Sequence, residues 1–193
     1  MPGVVSPSAR QLQVLIGAAA ILAPGIHTLT DVAEWVTEGF SVPQLWANYL
    51  AFVIMPFLFV GLFAVQRETI GILGLVGALL YGAAFIYFAH TTLYALVEHV
   101  PDYESLWSRL GSVYTAHGIL MILGGFLFGA ATFLAGRFPR WTAIVFLCGI
   151  AINLALGIIA TPEIFQVFGS ALRNAGLIGM GVVLLMRPTP HPA

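Results

Sequence analysis

Three histidines interrupt apolar runs: His27, His90 and His117. Imidazole is the side chain most suited to metal ligation and to proton transfer near neutral pH. Acids and phenols recur around the three at helical spacing. His27, Asp31 and Glu34 follow i, i+4, i+7, so a continuous helix puts them on one face. Tyr87, His90, Tyr94 and Glu98 form a second stripe, and Tyr114, His117 and Met121 a third.

These groups suggest three chemistries. Imidazole and carboxylate together suit zinc, copper, iron or nickel, with His27, Asp31, Glu34, His90 and His117 as the candidate metal ligands. The spacing is neither H-E-x-x-H nor a four-helix di-iron pattern. Haem or chlorin ligation is the second, with His27, His90, His117, Tyr94 and Tyr114 lining the cofactor. Touching helices are only about 8–10 Å apart, which is cramped for a bis-histidine sandwich. The third is acid–base work on a quinone- or isoprenoid-like lipid, with Asp31 and Glu98 as the candidate acids. Against all three stands a purely structural layer, because histidine, tyrosine and threonine also bond across helices to hold a bundle together. No nucleophile motif, phosphate loop or dinucleotide fingerprint accompanies the histidines.

The elements that carry these residues follow from composition. The chain of 193 residues is 60% hydrophobic and 8% charged. Soluble domains carry about 25% charged residues. Six apolar stretches, 12–30, 44–66, 69–97, 110–136, 139–160 and 168–187, reach the length of about 20 residues that spans a bilayer. They predict an all-α, six-helix polytopic bundle as a single domain over 1–187, with a disordered tail over 188–193 that discounts His191. The first stretch reads as a retained helix rather than a leader.

Charge sets the expected topology. There is no lysine. Arg10, Arg67, Arg137, Arg140 and Arg187 fall on one side of a six-span arrangement, and Arg109 and Arg173 fall on the other with seven of the eight acids. The arginine-rich side is expected to be cytoplasmic, with both termini there, in a bacterial plasma membrane. The acidic outer segments read as a solvated face. A formal net charge of −1 gives no footprint for nucleic acid. The expected partners are membrane lipids and other membrane subunits or further copies of the chain. A non-catalytic subunit or assembly factor of a larger complex is therefore an alternative role.

From the cytoplasmic edge, the histidines sit roughly 24, 33 and 28 Å along their helices, all in the outer third. Pro24 and Pro56 interrupt the backbone bonding of two helices and are expected to kink them. Trp35, Phe40, Trp46, Tyr103 and Trp107 read as interface aromatics. The glycines Gly71, Gly74, Gly77, Gly125, Gly129, Gly176, Gly179 and Gly181 read as close-approach points, within the bundle or between subunits. Asn153 is expected to hydrogen bond between helices, and the lone Cys148 to be a small core residue.

The Phe138–Pro139–Arg140–Trp141 turn, the Gly25–Ile26–His27 segment and the Ala116–His117–Gly118 segment are similar to those of uncharacterised bacterial multi-spanning membrane proteins. That resemblance implies about six helices and no assigned activity.

Overall fold

A computed structural model describes residues 7–159 and 163–186. Arg187, His191 and the rest of the predicted tail lie outside the described residues. The described chain is helical throughout: α1 (Pro7–Thr37), α2 (Val42–Gln66), α3 (Gly71–Val97), α4 (Tyr103–Leu110), α5 (Ser112–Ala135), α6 (Arg140–Ile158) and α7 (Glu163–Met186). All but α4 are long and apolar enough to cross a membrane.

Local chemistry explains the boundaries. Ser41 accepts a hydrogen bond from the Gln44 backbone N–H, and the Gln44 side chain accepts one from the Ser41 N–H. This capping box starts α2 and satisfies donors that have no partner in the first turn. Pro43 lies in the first turn, where its missing N–H would have no helical partner anyway. Glu38 and His99, at φ +53° and +49°, end α1 and α3 in left-handed conformations. The following N–H groups then turn back, Gly39 to the Glu34 carbonyl and Val100 to that of Ala95.

The predicted outer connections differ from expectation. α1 runs on to Thr37, so Asp31 and Glu34 belong to the spanning helix rather than to a loop. The connection over 98–109 holds α4, a short amphipathic helix that hydropathy alone misses. Asp102 caps α4 by accepting from the Ser105 backbone N–H at 2.8 Å. That hydrogen bond holds the Asp102 carboxyl below its ordinary pKa. Most of the predicted third outer turn is the first turn of α7.

The six long helices form a closed ring in chain order. Each packs on its neighbours, α1–α2–α3–α5–α6–α7, and α7 closes on α1. Antiparallel neighbours joined by short connections produce this arrangement. An aromatic plug of Phe59, Tyr81, Phe85, Phe128 and Phe146 fills the centre, with Phe59 and Tyr81 only 4.1 Å apart by ring centroid. Pro24 and Pro56 lie inside continuous helices, and Pro56 packs against Gly82 of α3.

Glycines face the ring neighbours. A Cβ at Gly124 would meet the backbone of Tyr81, and one at Gly181 would sit 2.7 Å from the Gly17 carbonyl oxygen. Gly125 and Gly129 turn toward Ile150, Leu147 and Phe146 of α6. The G-x-x-x-G pair therefore serves packing inside the bundle. Cys148 departs from expectation, because it is exposed on the outside of α6.

The end of the ring that carries α4, expected to be the outer one, is lidded. Phe40 donates its backbone N–H to the Pro101 carbonyl at 2.6 Å. Leu45, Ala95, Val100 and Leu106 pack beneath, with Tyr94, Tyr103 and Tyr114 against them. This lid explains why Asp31 and Glu34 are buried, at 8% and 4% exposure, instead of forming a solvated face.

Candidate functional site

The largest departure from the sequence reading is Arg173. It was expected on the outer surface, yet it sits inside α7 with 2% exposure and points into the ring. It lies ten residues from the start of α7 and His27 ten residues from the end of α1, each about 15 Å below the outer end. The two meet: Arg173 Nη2 is 2.9 Å from His27 Nε2.

Around them the polar groups form a line. Gln166 Oε1 accepts from Asn153 Nδ2 at 3.2 Å, and Asn153 Oδ1 accepts from Arg173 Nη1 at 3.4 Å. Beyond His27, its Nδ1 lies 3.3 Å from Asp31 Oδ1, at ion-pair distance but outside good hydrogen-bond geometry. Asn153 thus bonds between helices, as its position in the sequence suggests. Arg173 Nη1 also contacts Met121 Sδ at 2.9 Å, and the guanidinium lies 5.9 Å from the Phe85 ring centre. One side chain of α7 therefore touches α1, α3, α5 and α6.

Donor and acceptor chemistry fixes the tautomer of His27. A guanidinium has five N–H donors and no acceptor. The His27 Nε2 facing it must therefore offer a lone pair, and the ring proton sits on Nδ1, toward Asp31. The same rule turns the Asn153 carbonyl oxygen toward Arg173 and its NH₂ toward Gln166.

The other two histidines lie elsewhere. His117, five residues into α5, is about 8 Å below the outer end, roughly a turn shallower than His27. Its ring stacks on Tyr87 of α3 at 4.8 Å and 6°. Ring contacts from His27 to His117 pass through Phe85 and Phe88. His90 is exposed on the outside of α3, within electrostatic reach of His117. Tyr94 packs under the lid, Tyr114 has its ring 6.1 Å from that of His117, and Glu98 is exposed at the end of α3. The shared depth expected from counting residues thus resolves into two separate places. Among the described residues, no three His, Cys, Asp or Glu side chains come together to hold a metal ion.

A shallow, open cleft beside His117 is lined by Tyr87, Ser112, Val113, Ala116, His117 and Leu120. His117 itself is 3% exposed, and its Nδ1 is buried without a hydrogen-bond partner. The cleft combines apolar walls with a stacked aromatic pair.

Six apolar spans around a lidded polar interior define an integral, multi-pass membrane protein whose helices contact lipid. No family model, curated protein or solved structure matches the chain.

Proposed function

We propose that the protein binds a lipid-soluble, aromatic, hydrogen-bonding molecule of the quinone class in the cleft between α3 and α5. The observation that carries this reading is the buried, unpartnered Nδ1 of His117 on a ring stacked flat against Tyr87. Buried polar atoms are normally paired, so an orphan beside a cleft calls for an explanation. Val113, Ala116 and Leu120 supply apolar walls, and Ser112 adds a hydroxyl at the outer end of α5. Ligand sites typically combine such walls with a few placed polar groups. Within this reading the site serves as a redox-cofactor or lipid-substrate pocket without a metal.

The test uses decylubiquinone titrated into the purified protein in mild detergent. Trp107, whose ring lies 5.9 Å from Tyr114 near the cleft, reports by fluorescence quenching. Saturable quenching is expected, and His117→Phe should weaken it about tenfold or more, the cost of a lost buried hydrogen bond. Quenching that stays linear with quinone concentration, or is unchanged in His117→Phe, overturns the assignment.

The orientation is proposed on the same footing. With Arg173 inside the bundle, Arg10, Arg67, Arg137 and Arg140 cluster at one end of the ring and only Arg109 remains at the other among the described residues. That asymmetry supports an arginine-rich end in the cytoplasm, with the lid and the cleft on the opposite side. A reporter fused to the C terminus should read cytoplasmic; an external signal inverts the arrangement.

A further inference from the structure

The His27–Arg173 contact has a polarity that permits only one protonation pattern, and the second pattern breaks it. We propose that His27 is an intramembrane proton-binding site whose occupation releases Arg173 from its contact with α1. The site is separate from the His117 cleft and does not depend on what that cleft holds.

The argument rests on donors and acceptors. Arg173 Nη2–H donates to the Nε2 lone pair of His27 across 2.9 Å. A proton arriving from the aqueous phase at the outer end and binding Nε2 removes that lone pair and adds one positive charge. Two N–H groups then face each other at hydrogen-bond distance, and two cations meet in a dry interior where charges are weakly screened. One of them must move. His27 is a short, ringed side chain with Asp31 Oδ1 3.3 Å from its other nitrogen and the Phe52 ring 4.8 Å away. Arg173 is the longer and more flexible partner, joined otherwise through Met121 Sδ, Asn153 Oδ1 and the Phe85 ring.

Every element packed here contributes to the balance. The charged or titratable groups are Asp31 and Glu34 from α1, Tyr81 from α3, Tyr114 from α5 and Arg173 from α7. From α2 comes Phe52 and from α6 Asn153, neither of which titrates. Opening costs α7 one of its ties to α1. The bond from Asn174 Nδ2 to Thr28 Oγ1 and the glycine contact at Gly17 and Gly181 remain. Ionisable groups inside a membrane are expensive to keep and usually work.

The experiment is ¹⁵N NMR of histidine- and arginine-labelled full-length protein in lipid bilayers across pH. At high pH the His27 ring is expected to carry one proton, on Nδ1. As pH falls, the second ring proton and a change in the Arg173 guanidinium signals should appear with one midpoint. His27→Gln keeps an acceptor for Arg173 and cannot titrate, so the Arg173 signals should become independent of pH. Arg173→Gln offers His27 either a donor or an acceptor, so backbone signals of α7 should lose their pH-dependent shift. The proposal fails if Nε2 carries the proton at high pH. It fails equally if the His27 and Arg173 changes have different midpoints, or if His27→Gln leaves the Arg173 titration intact. The wild-type spectra alone decide the matter should either variant not fold.

Discussion

Arg173→Ala is expected to lower stability by about 3–5 kcal/mol, the usual cost of removing one partner from a buried charged network. Individual hydrogen bonds between membrane helices average about 0.6 kcal/mol, so the bonds to His27, Asn153 and Met121 together account for about 2 kcal/mol. The larger share comes from His27 Nε2 and Asn153 Oδ1, buried acceptors left without their donor. Unfolding in mixed micelles by SDS titration measures this directly. Arg173→Lys should recover only part of the loss, because one ammonium cannot span α1, α5 and α6 as the planar guanidinium does. In a double-mutant cycle with His27→Leu, the two losses should fall well short of additive. A Arg173→Ala variant within about 0.5 kcal/mol of wild type, the range of an ordinary surface change, would mean the guanidinium holds nothing together.

Gly149→Ala should be nearly as damaging for a different reason. A Cβ at Gly149 would overlap the backbone nitrogen of Arg173 and lie 2.6 Å from its Cα. Backbone cannot rotate aside as a side chain can, so α6 and α7 have to separate. Overpacking of this kind costs about 1–3 kcal/mol, and the upper end is expected here because the displaced residue is the hub of the polar layer. Gly118→Ala on α5 is the matched control, since nothing lies within 4 Å of its Cβ position. There the gain in helix propensity, about 1 kcal/mol, should leave stability unchanged or raised. The same SDS titration reads both, and equal effects at the two positions would remove close packing as the cause.

The fold was legible because hydropathy accumulates along a chain. Each of the six spans is recognisable from its own residues, with edges displaced by a few positions. Helical spacing also put His27, Asp31 and Glu34 on one face, and all three are buried. The glycines signalled close approach in the same way, since a missing side chain is visible in sequence. What α4 lacked was length: eight residues with mixed polarity look like a loop until Asp102 and the lid hold them as helix.

The candidate site was legible only in part. Counting residues put three histidines in one layer, but it does not say which way each helix is turned. His90 and Tyr87 are three residues apart and both on the exposed side of α3, whereas His117 on the neighbouring α5 turns inward. The signal for Arg173 was present, a single arginine with Asn174 beside it well inside the last apolar stretch. A charged residue near a membrane end reads equally well as an outer-surface group, and the loop charge pattern drew it there.

The sequence alone determined that the chain has six spans apolar enough to cross a membrane, and that His27, Asp31 and Glu34 share one helix face. Those properties come from sums and periods over neighbouring residues. Only the tertiary structure decided that Arg173 meets His27, 146 positions away, and that His117 pairs with Tyr87 instead. The physical reason is closure of the ring. With α7 packed on α1 and α3 on α5, helix rotation is set by glycine contacts and by the need to bury each polar group against another, and neither condition is local to the chain.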